Sequence, residues 1–493
     1  MEYQLNYLKT VYKPVSLKRE FIINILILLV INACIKIAYL FIVEVEVQNT
    51  VGPEQYGIFL ALFNFTYIFQ FFNDPGIHTF NTTLIAGQPE KVSFHMAHVT
   101  GVKCITGIIF LLVISLVAFI MNYDSSIYPI LLLVAFNQIL SSYLLYLRSH
   151  FSALGIYRMD SYMSALDKLF MLLVIGVLLL SIKQTFAIEF FIGGQTLSFL
   201  LAIGVIHVLL SRHVKPGWPV FSLSYSKSML RKSLPFALVL LFMAAYSRMD
   251  AVMIERLLPD GDYQAGVYAA AYRYMDAASM VMYLFASLLL PMYARSLTDQ
   301  RTIHELTDTA VRGAGILCLM ISSMMVIYFE NWMSLYTHYD EQYGALIFYQ
   351  MLAFYCIGIA YIYGTLMASG NKLLYLNILF AIGVILNFCL NYYLIPRNMA
   401  TGAALATFIT QACMGAGQIF LAHKIFKLPF NIALAVKFCL LGFVTIAFSV
   451  LVRDYIDVFW IFGMVICLLF IAAISLLLKI LKKEFISGIS VRM

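Results

Sequence analysis

Residues 458–478 read VFWIFGMVICLLFIAAISLLL and contain no charge. A helix rises about 1.5 Å per residue, so this stretch reaches across the roughly 30 Å hydrocarbon core of a bilayer. It is one of many. Similar runs recur at 21–43, 56–80, 99–121, 128–147, 161–181, 187–210, 233–254, 266–290, 312–329, 344–368, 373–395, 401–422 and 433–452. Counted from the N-terminus, these predict about fourteen spans. The runs are long and continuous rather than alternating in short units, which argues against a barrel. Inside lipid every backbone polar group needs an internal partner, so the spans are expected to be helices. The predicted fold class is therefore all-α and polytopic.

Composition agrees. The chain is 62% hydrophobic and 12% charged, whereas soluble domains carry about 25% charged residues. Residues 1–20 are polar, and the run Phe21 to Val43 is too long for a signal-peptide core, so it reads as the first span. Every loop is short, and the longest, about 211–232, is too small for a catalytic domain. An enzyme is not expected. The eight cysteines form no CxxC pair and the nine histidines no HxxxH pair, so neither a metal site nor a cofactor is predicted. No GxxxxGK[ST] motif is present, so transport would draw on an ion gradient, membrane potential or substrate flow.

The net charge of +7 could suggest nucleic acid. Its distribution points to topology instead. Of 32 Lys and Arg, only Lys183, Arg256, Arg397 and Arg453 fall on one side of the alternating loops. Three more, Lys36, Arg248 and Arg273, lie within spans. The remaining 25, Lys91 and Lys103 among them, gather on the other side. By the positive-inside rule that side, with both termini, is cytoplasmic.

An internal repeat organises the spans. Gly52-Pro-Glu-Gln-Tyr-Gly57 follows span 1, and Gly261-Asp-Tyr-Gln-Ala-Gly266 follows span 7, at an offset of 209 residues. Glu46 and Glu255, and Ala61 and Ala270, match at the same offset. A weaker echo pairs Ala153-x-Gly155 with Ala368-x-Gly370. Six spans separate the copies, an even number, so the repeats run parallel. The predicted domains are 1–232 and 233–432, each a six-helix bundle, followed by two extra helices and a tail in 433–493.

The embedded charges concentrate in spans 1, 2, 7 and 8, the first hairpin of each repeat. They are Lys36, Arg248 and Arg273, with the acids Asp74, Asp250 and Asp276. The apolar runs place the three cations roughly 10 Å below the expected outer surface. Such charges avoid lipid and line an interior or a water-filled cavity. A cationic cluster suits an anionic group such as phosphate, which Arg binds with two parallel hydrogen bonds. Structural roles compete with this reading: Arg273 and Asp276 are i,i+3 neighbours that could pair, and Lys36 could snorkel. The acids would balance charge or bind a coupling H⁺ or Na⁺. Tyr268, Tyr272, Tyr274 and Tyr283 crowd span 8, and interhelical packing explains them more simply than sugar stacking.

These residues resemble a known family. Val51-Gly-Pro-Glu-Gln-Tyr-Gly-Ile58, Asp74-Pro-Gly-Ile77, Gly266-Val-Tyr-Ala-Ala-Ala271 with Leu290-Pro291, Asn387 and Asn391 with Ile395-Pro396, and Gly402-Ala-Ala-Leu-Ala-Thr407 fall in the order and spacing of polysaccharide flippases. These belong to the multidrug/oligosaccharidyl-lipid/polysaccharide (MOP) exporter superfamily, related to lipid II flippases and MATE transporters. Glu44 and Glu46 depart from the pattern, as does the turn Pro396-Arg-Asn-Met-Ala-Thr-Gly402. The resemblance implies a MATE-like V-shaped bundle working by alternating access in the bacterial inner membrane. It implies a polyprenyl-pyrophosphate-linked oligosaccharide as substrate, moved to the outer leaflet, with spans 13 and 14 forming a groove for the lipid tail. Membrane lipid, a coupling H⁺ or Na⁺, and the polymerase and glycosyltransferases of the same pathway are the expected partners; nucleic acid is not. The alternative is an ion-coupled small-molecule exporter of the multidrug type on the same fold.

Overall fold

The computed structural model describes residues 35–480 except 37, 88, 215–216, 298, 339 and 457–458. Among them the regular structure is helical, with no strand. Among the described residues ten helical stretches are long and apolar enough to cross a membrane, and the chain is a multi-pass membrane protein. The helices are α1 (Val45–Ile68), α2 (Gln70–Asn73), α3 (Ile77–Gly87), α4 (Val92–Ile120), α5 (Tyr128–Ala153), α6 (Tyr157–Met163), α7 (Leu166–Ile182) and α8 (Ile188–Ser211). There follow α9 (Leu223–Leu257), α10 (Gly261–Ser296), α11 (Gln300–Ile327), α12 (Phe329–Met333), α13 (Tyr343–Ser369), α14 (Leu373–Phe426), α15 (Ile432–Tyr455) and α16 (Trp460–Leu477).

Several helices do not map one to one on apolar runs. Much of the expected span 1 lies outside the described residues. A π-helical turn, Tyr39–Glu44, leads directly into α1, which bends at Gly52, where φ is +84°. Only glycine adopts that region without strain, which explains a Gly before Pro53 at the hairpin. The expected spans 11 and 12 merge into α14, bent at Met399 with φ +51°. A Cβ on Gly402 would run into the Leu394 carbonyl, so the bend needs glycine there. In the weaker repeat echo, Gly155 has φ +77° whereas Gly370 does not; the left-handed residue there is the next one, Asn371, with φ +55°. That pair is equivalent in sequence but not in backbone.

The chain forms two compact units. Unit 1 comprises the described residues of Met1–Thr50 with Phe69–Ala237; unit 2 comprises Val51–Ile68 with the described residues from Leu238 onward. In unit 1, α8 packs on α5 and α7, and α3 on α5. In unit 2, α13 packs on α10, α11 and α14. The two last helices pack on each other and on α11, around Leu441, Cys467 and Ile471. Gly315 accommodates the Phe438 ring and Gly463 the Tyr328 hydroxyl, the close approach that small residues permit between membrane helices. On the other faces of α15 and α16, Phe443, Phe462 and Leu469 are exposed, as expected of lipid-facing side chains.

Candidate functional site

In unit 1 the expected span 2 is interrupted. Between α2 and α3, Asp74 has φ −138° and ψ 84°, and Gly76 has φ +76°. The Asp74 carboxylate caps the resumed helix, accepting from the Ile77 N–H at 2.6 Å. Its other oxygen accepts from Lys103 Nζ at 2.9 Å and Ser142 Oγ at 3.1 Å, and lies 3.1 Å from His78 Nδ1. Lys103 Nζ also donates to Ser142 Oγ. Lys103 therefore does not belong with the loop bases: it is buried in α4 against Asp74. Thr106 and Asn73 brace the break, Thr106 Oγ1 donating to the Asn73 carbonyl and Asn73 Nδ2 to the Gln138 carbonyl. Lys36, also in unit 1, is half-buried, with Asp167, Lys168 and Arg148 as its charged neighbours.

Unit 2 separates the two arginines. Arg273 is 5% exposed. Its Nη1 donates to Tyr336 Oη at 2.8 Å, and its guanidinium lies 4.8 Å from the Tyr56 ring centre. Arg248 is more open. Its guanidinium lies 5.2 Å from Tyr67 and 5.4 Å from Tyr272, and Nη2 donates to Asp276 Oδ1 at 3.3 Å. The side chain of Asp276 is 49% exposed. The i,i+3 spacing thus misleads: Asp276 pairs with Arg248 of the preceding helix. Of the four tyrosines singled out in α10, Tyr268, Tyr272 and Tyr274 are buried and Tyr283 is exposed.

The expected depth also changes. Because the polar stretches at the hairpins stay helical, Lys36 lies about 24 Å of helix from Gly52 and Arg273 about 18 Å from the start of α10. Arg248 lies about 14 Å from the end of α9. All three are further from the hairpin turns than the apolar runs implied.

Asp250 is fully enclosed in unit 2. It accepts from Tyr268 Oη at 2.7 Å, Asn391 Nδ2 at 2.7 Å, Asn387 Nδ2 at 3.3 Å, and Thr407 Oγ1. Among the described residues no Lys or Arg is within salt-bridge distance of it. Asn391 Oδ1 is buried there without a hydrogen-bond partner. Asn387 and Asn391 sit one turn apart on α14 and face α9, a spacing of amides in an apolar helix that sequence reasoning had not tied to Asp250.

The repeat motifs meet each other. A Cβ on Gly57 would strike the Asp262 carbonyl, and a Cβ on Gly266 would strike the Pro53 carbonyl. Both partners obey the 209-residue offset, so the contact is reciprocal. The motif glutamines differ: Gln55 is exposed, whereas Gln264 is buried and accepts from Gln342 Nε2 at 3.1 Å.

No curated protein matches the chain. Among solved structures, the lipid II flippase MurJ in an inward closed conformation superposes with a TM-score of 0.67 at 13% identity, covering 95% of this chain and 100% of that one. An inward-facing multidrug resistance MATE family transporter of the MOP superfamily gives 0.63 at 11% identity, covering 79% and 94%. A MOP superfamily transporter from Pyrococcus furiosus, described as having a binding pocket of reverse polarity, gives 0.56 at 12% identity, covering 82% and 94%. These likenesses establish the fold. The family described as "Polysaccharide biosynthesis protein" matches residues 21–297, more than half of the sequence. With that match and the fold of the MOP transporters, the chain belongs to the polysaccharide biosynthesis protein family.

Proposed function

We propose that this protein is a flippase, not an enzyme, that carries a polyprenyl-pyrophosphate-linked oligosaccharide from the cytoplasmic to the outer leaflet by alternating access. The observation that carries the reading is Arg248. Its guanidinium is held between Tyr67 and Tyr272 and neutralised by a half-exposed carboxylate, Asp276. A diphosphate can displace such a counter-ion, because it offers the planar fork of Arg two parallel hydrogen bonds. Lys36, half-buried in unit 1, is proposed as a further substrate-binding base. Arg273, packed against Tyr56 and Tyr336, holds the hairpin that carries the site.

Asp250 is the seat of the coupling ion. A buried carboxylate without a basic partner is costly unless it is protonated or holds a cation. The Asp250 carboxylate is met by the Thr407 and Tyr268 hydroxyls and the Asn387 and Asn391 amide nitrogens, with the unpartnered Asn391 Oδ1 beside them. A proton fits this set as it stands, and a hard cation would recruit the carboxylate, hydroxyl and amide oxygens after the asparagine amides turn. H⁺ and Na⁺ are the two candidates. Asp74 has Lys103 instead, and balances charge.

The proposed setting is the bacterial inner membrane with both termini cytoplasmic, beside the polymerase and glycosyltransferases of one pathway. The two bundles, 1–232 and 233–432, are the proposed moving parts, and 433–493 the tail-binding addition. The reciprocal contact of Gly57 and Gly266, within unit 2, fastens the two first-hairpin motifs to each other. The test is the lipid-linked oligosaccharide pool of a deletion strain, measured by mass spectrometry of extracts. One accumulating polyprenyl-pyrophosphate oligosaccharide, with loss of surface glycan, is expected. An unchanged pool together with raised drug sensitivity would replace the reading with small-molecule export.

A further inference from the structure

One segment of unit 1 plays no part in that reading. From Arg212 to Lys232 the sequence holds Arg212, Lys215, Lys227, Arg231 and Lys232 and no acid; indeed no Asp or Glu occurs between Glu189 and Asp250. The same segment displays large apolar side chains to the outside. Trp218 is 92% exposed, Phe221 64% and Leu223 84%. On the first turns of α9, Leu223, Lys227 and Arg231 are all exposed and fall on one line at i, i+4 and i+8.

Exposed bulk of this kind on a slack loop would mean little. Here the backbone is fastened to α4. The Val220 N–H donates to the Ala97 carbonyl at 3.0 Å. A Cβ on Gly101 would run into the Val220 carbonyl, so glycine alone admits the strand of chain so close. Tyr225 Oη lies 3.0 Å from His95 Nδ1, and its ring lies 4.9 Å from that of His98. Val214 is buried. The described residues 217–231 thus form a strap laid across the end of α4, its inner side anchored and its outer side apolar and basic.

We infer that this strap, through Trp218, Phe221 and Leu223 with Arg212, Lys227 and Arg231, docks into the interfacial region of an anionic phospholipid leaflet. Charge complementarity selects the occupant: basic side chains without acids attract anionic headgroups, and Trp, Phe and Leu on the same face enter the headgroup–acyl boundary. The expected position of the loop, on the basic side of the membrane, is where that leaflet lies. Because the strap is fastened to α4 and continues into α9, lipid composition would bear directly on the start of α9. A protein partner would be drawn to the same apolar side chains, but nothing in the segment offers an acid to specify one.

The test uses the full-length protein in vesicles of phosphatidylcholine, with or without phosphatidylglycerol. The Trp218 emission is obtained as the difference between wild type and Trp218→Phe, an exposed substitution that leaves the packed Trp332 and Trp460 in place. Docking predicts that this emission is blue-shifted, loses most of its intensity to acyl-brominated lipids, and resists aqueous acrylamide. It further predicts stronger bromolipid quenching with phosphatidylglycerol, a difference abolished in the triple variant R212Q/K227Q/R231Q. Red-shifted emission quenched by acrylamide and untouched by brominated lipid would overturn the proposal. Equal bromolipid quenching in both vesicles would overturn the anionic assignment.

Discussion

Asp74 in unit 1 and Asp250 in unit 2 are both enclosed carboxylates in membrane helices, yet their surroundings differ in kind. Asp74 sits in a helix break with Lys103 2.9 Å away and a backbone N–H on its other oxygen. Asp250 sits within a continuous helix, surrounded by neutral donors from α10 and α14, and beside it an amide oxygen lacks a partner. One acid carries its counter-charge with it; the other has only neutral partners. The contrast separates an acid that holds the fold from the one proposed to take up and release an ion.

Removing the counter-charge of Asp74 should do the most damage. Lys103→Met leaves a buried carboxylate uncompensated and should destabilise by about 3–5 kcal/mol. Reduced membrane yield and a lower unfolding temperature in detergent would register it. The double variant D74N/K103M should recover most of that loss, since Asn keeps the cap on Ile77 without the charge. Failure of the double variant to recover would mean that Asp74 does more than balance charge.

On the other side, Asp250→Asn should leave the fold standing, because the site's neighbours already include amides and hydroxyls. Transport should fall by roughly a hundredfold, as expected for losing an interaction of about 2.7 kcal/mol, and its dependence on the driving ion should vanish. Unchanged ion dependence would remove Asp250 from the coupling role. A pair of intermediate effects comes next. Arg248→Lys keeps the charge but loses the fork, and should cost about tenfold in transport with normal yield. Arg273→Ala should instead lower thermal stability by about 2 kcal/mol through the lost Tyr56 and Tyr336 contacts. The reverse pattern would exchange their proposed roles. The smallest effect is Lys183→Gln: its pair with Glu46, 2.6 Å apart, is largely exposed, and surface pairs contribute under about 1 kcal/mol.

Much of this architecture was legible in the sequence, and the gaps have physical reasons. Hydropathy locates apolar runs, but a helix continues wherever its backbone is satisfied. Glu44 and Glu46 stay helical before Gly52, and the embedded cations therefore lie deeper than the runs implied. The expected span 2 runs through Pro75-Gly76, where the helix in fact breaks, and Lys103 looked like a loop base because its partner is 29 residues away, in that break. Nearness in sequence suggested Arg273 with Asp276; packing gave Asp276 to Arg248, 28 residues off. Asn387, Asn391 and Thr407 were visible as a resemblance to relatives, but only the meeting of α9 and α14 joins them to Asp250. The Gly52–Gly57 and Gly261–Gly266 motifs were legible as a repeat. Their reciprocal contact was not, because an offset along the chain says nothing of what touches in space.

The most direct test reconstitutes the purified protein in vesicles loaded with the polyprenyl-pyrophosphate oligosaccharide from the deletion strain. Translocation is read by glycosidase protection under an imposed Na⁺ or H⁺ gradient. The account predicts gradient-dependent translocation by wild type, its retention in D74N/K103M and its loss in Asp250→Asn. Translocation no faster than in protein-free vesicles, or equal rates in wild type and Asp250→Asn, would contradict it.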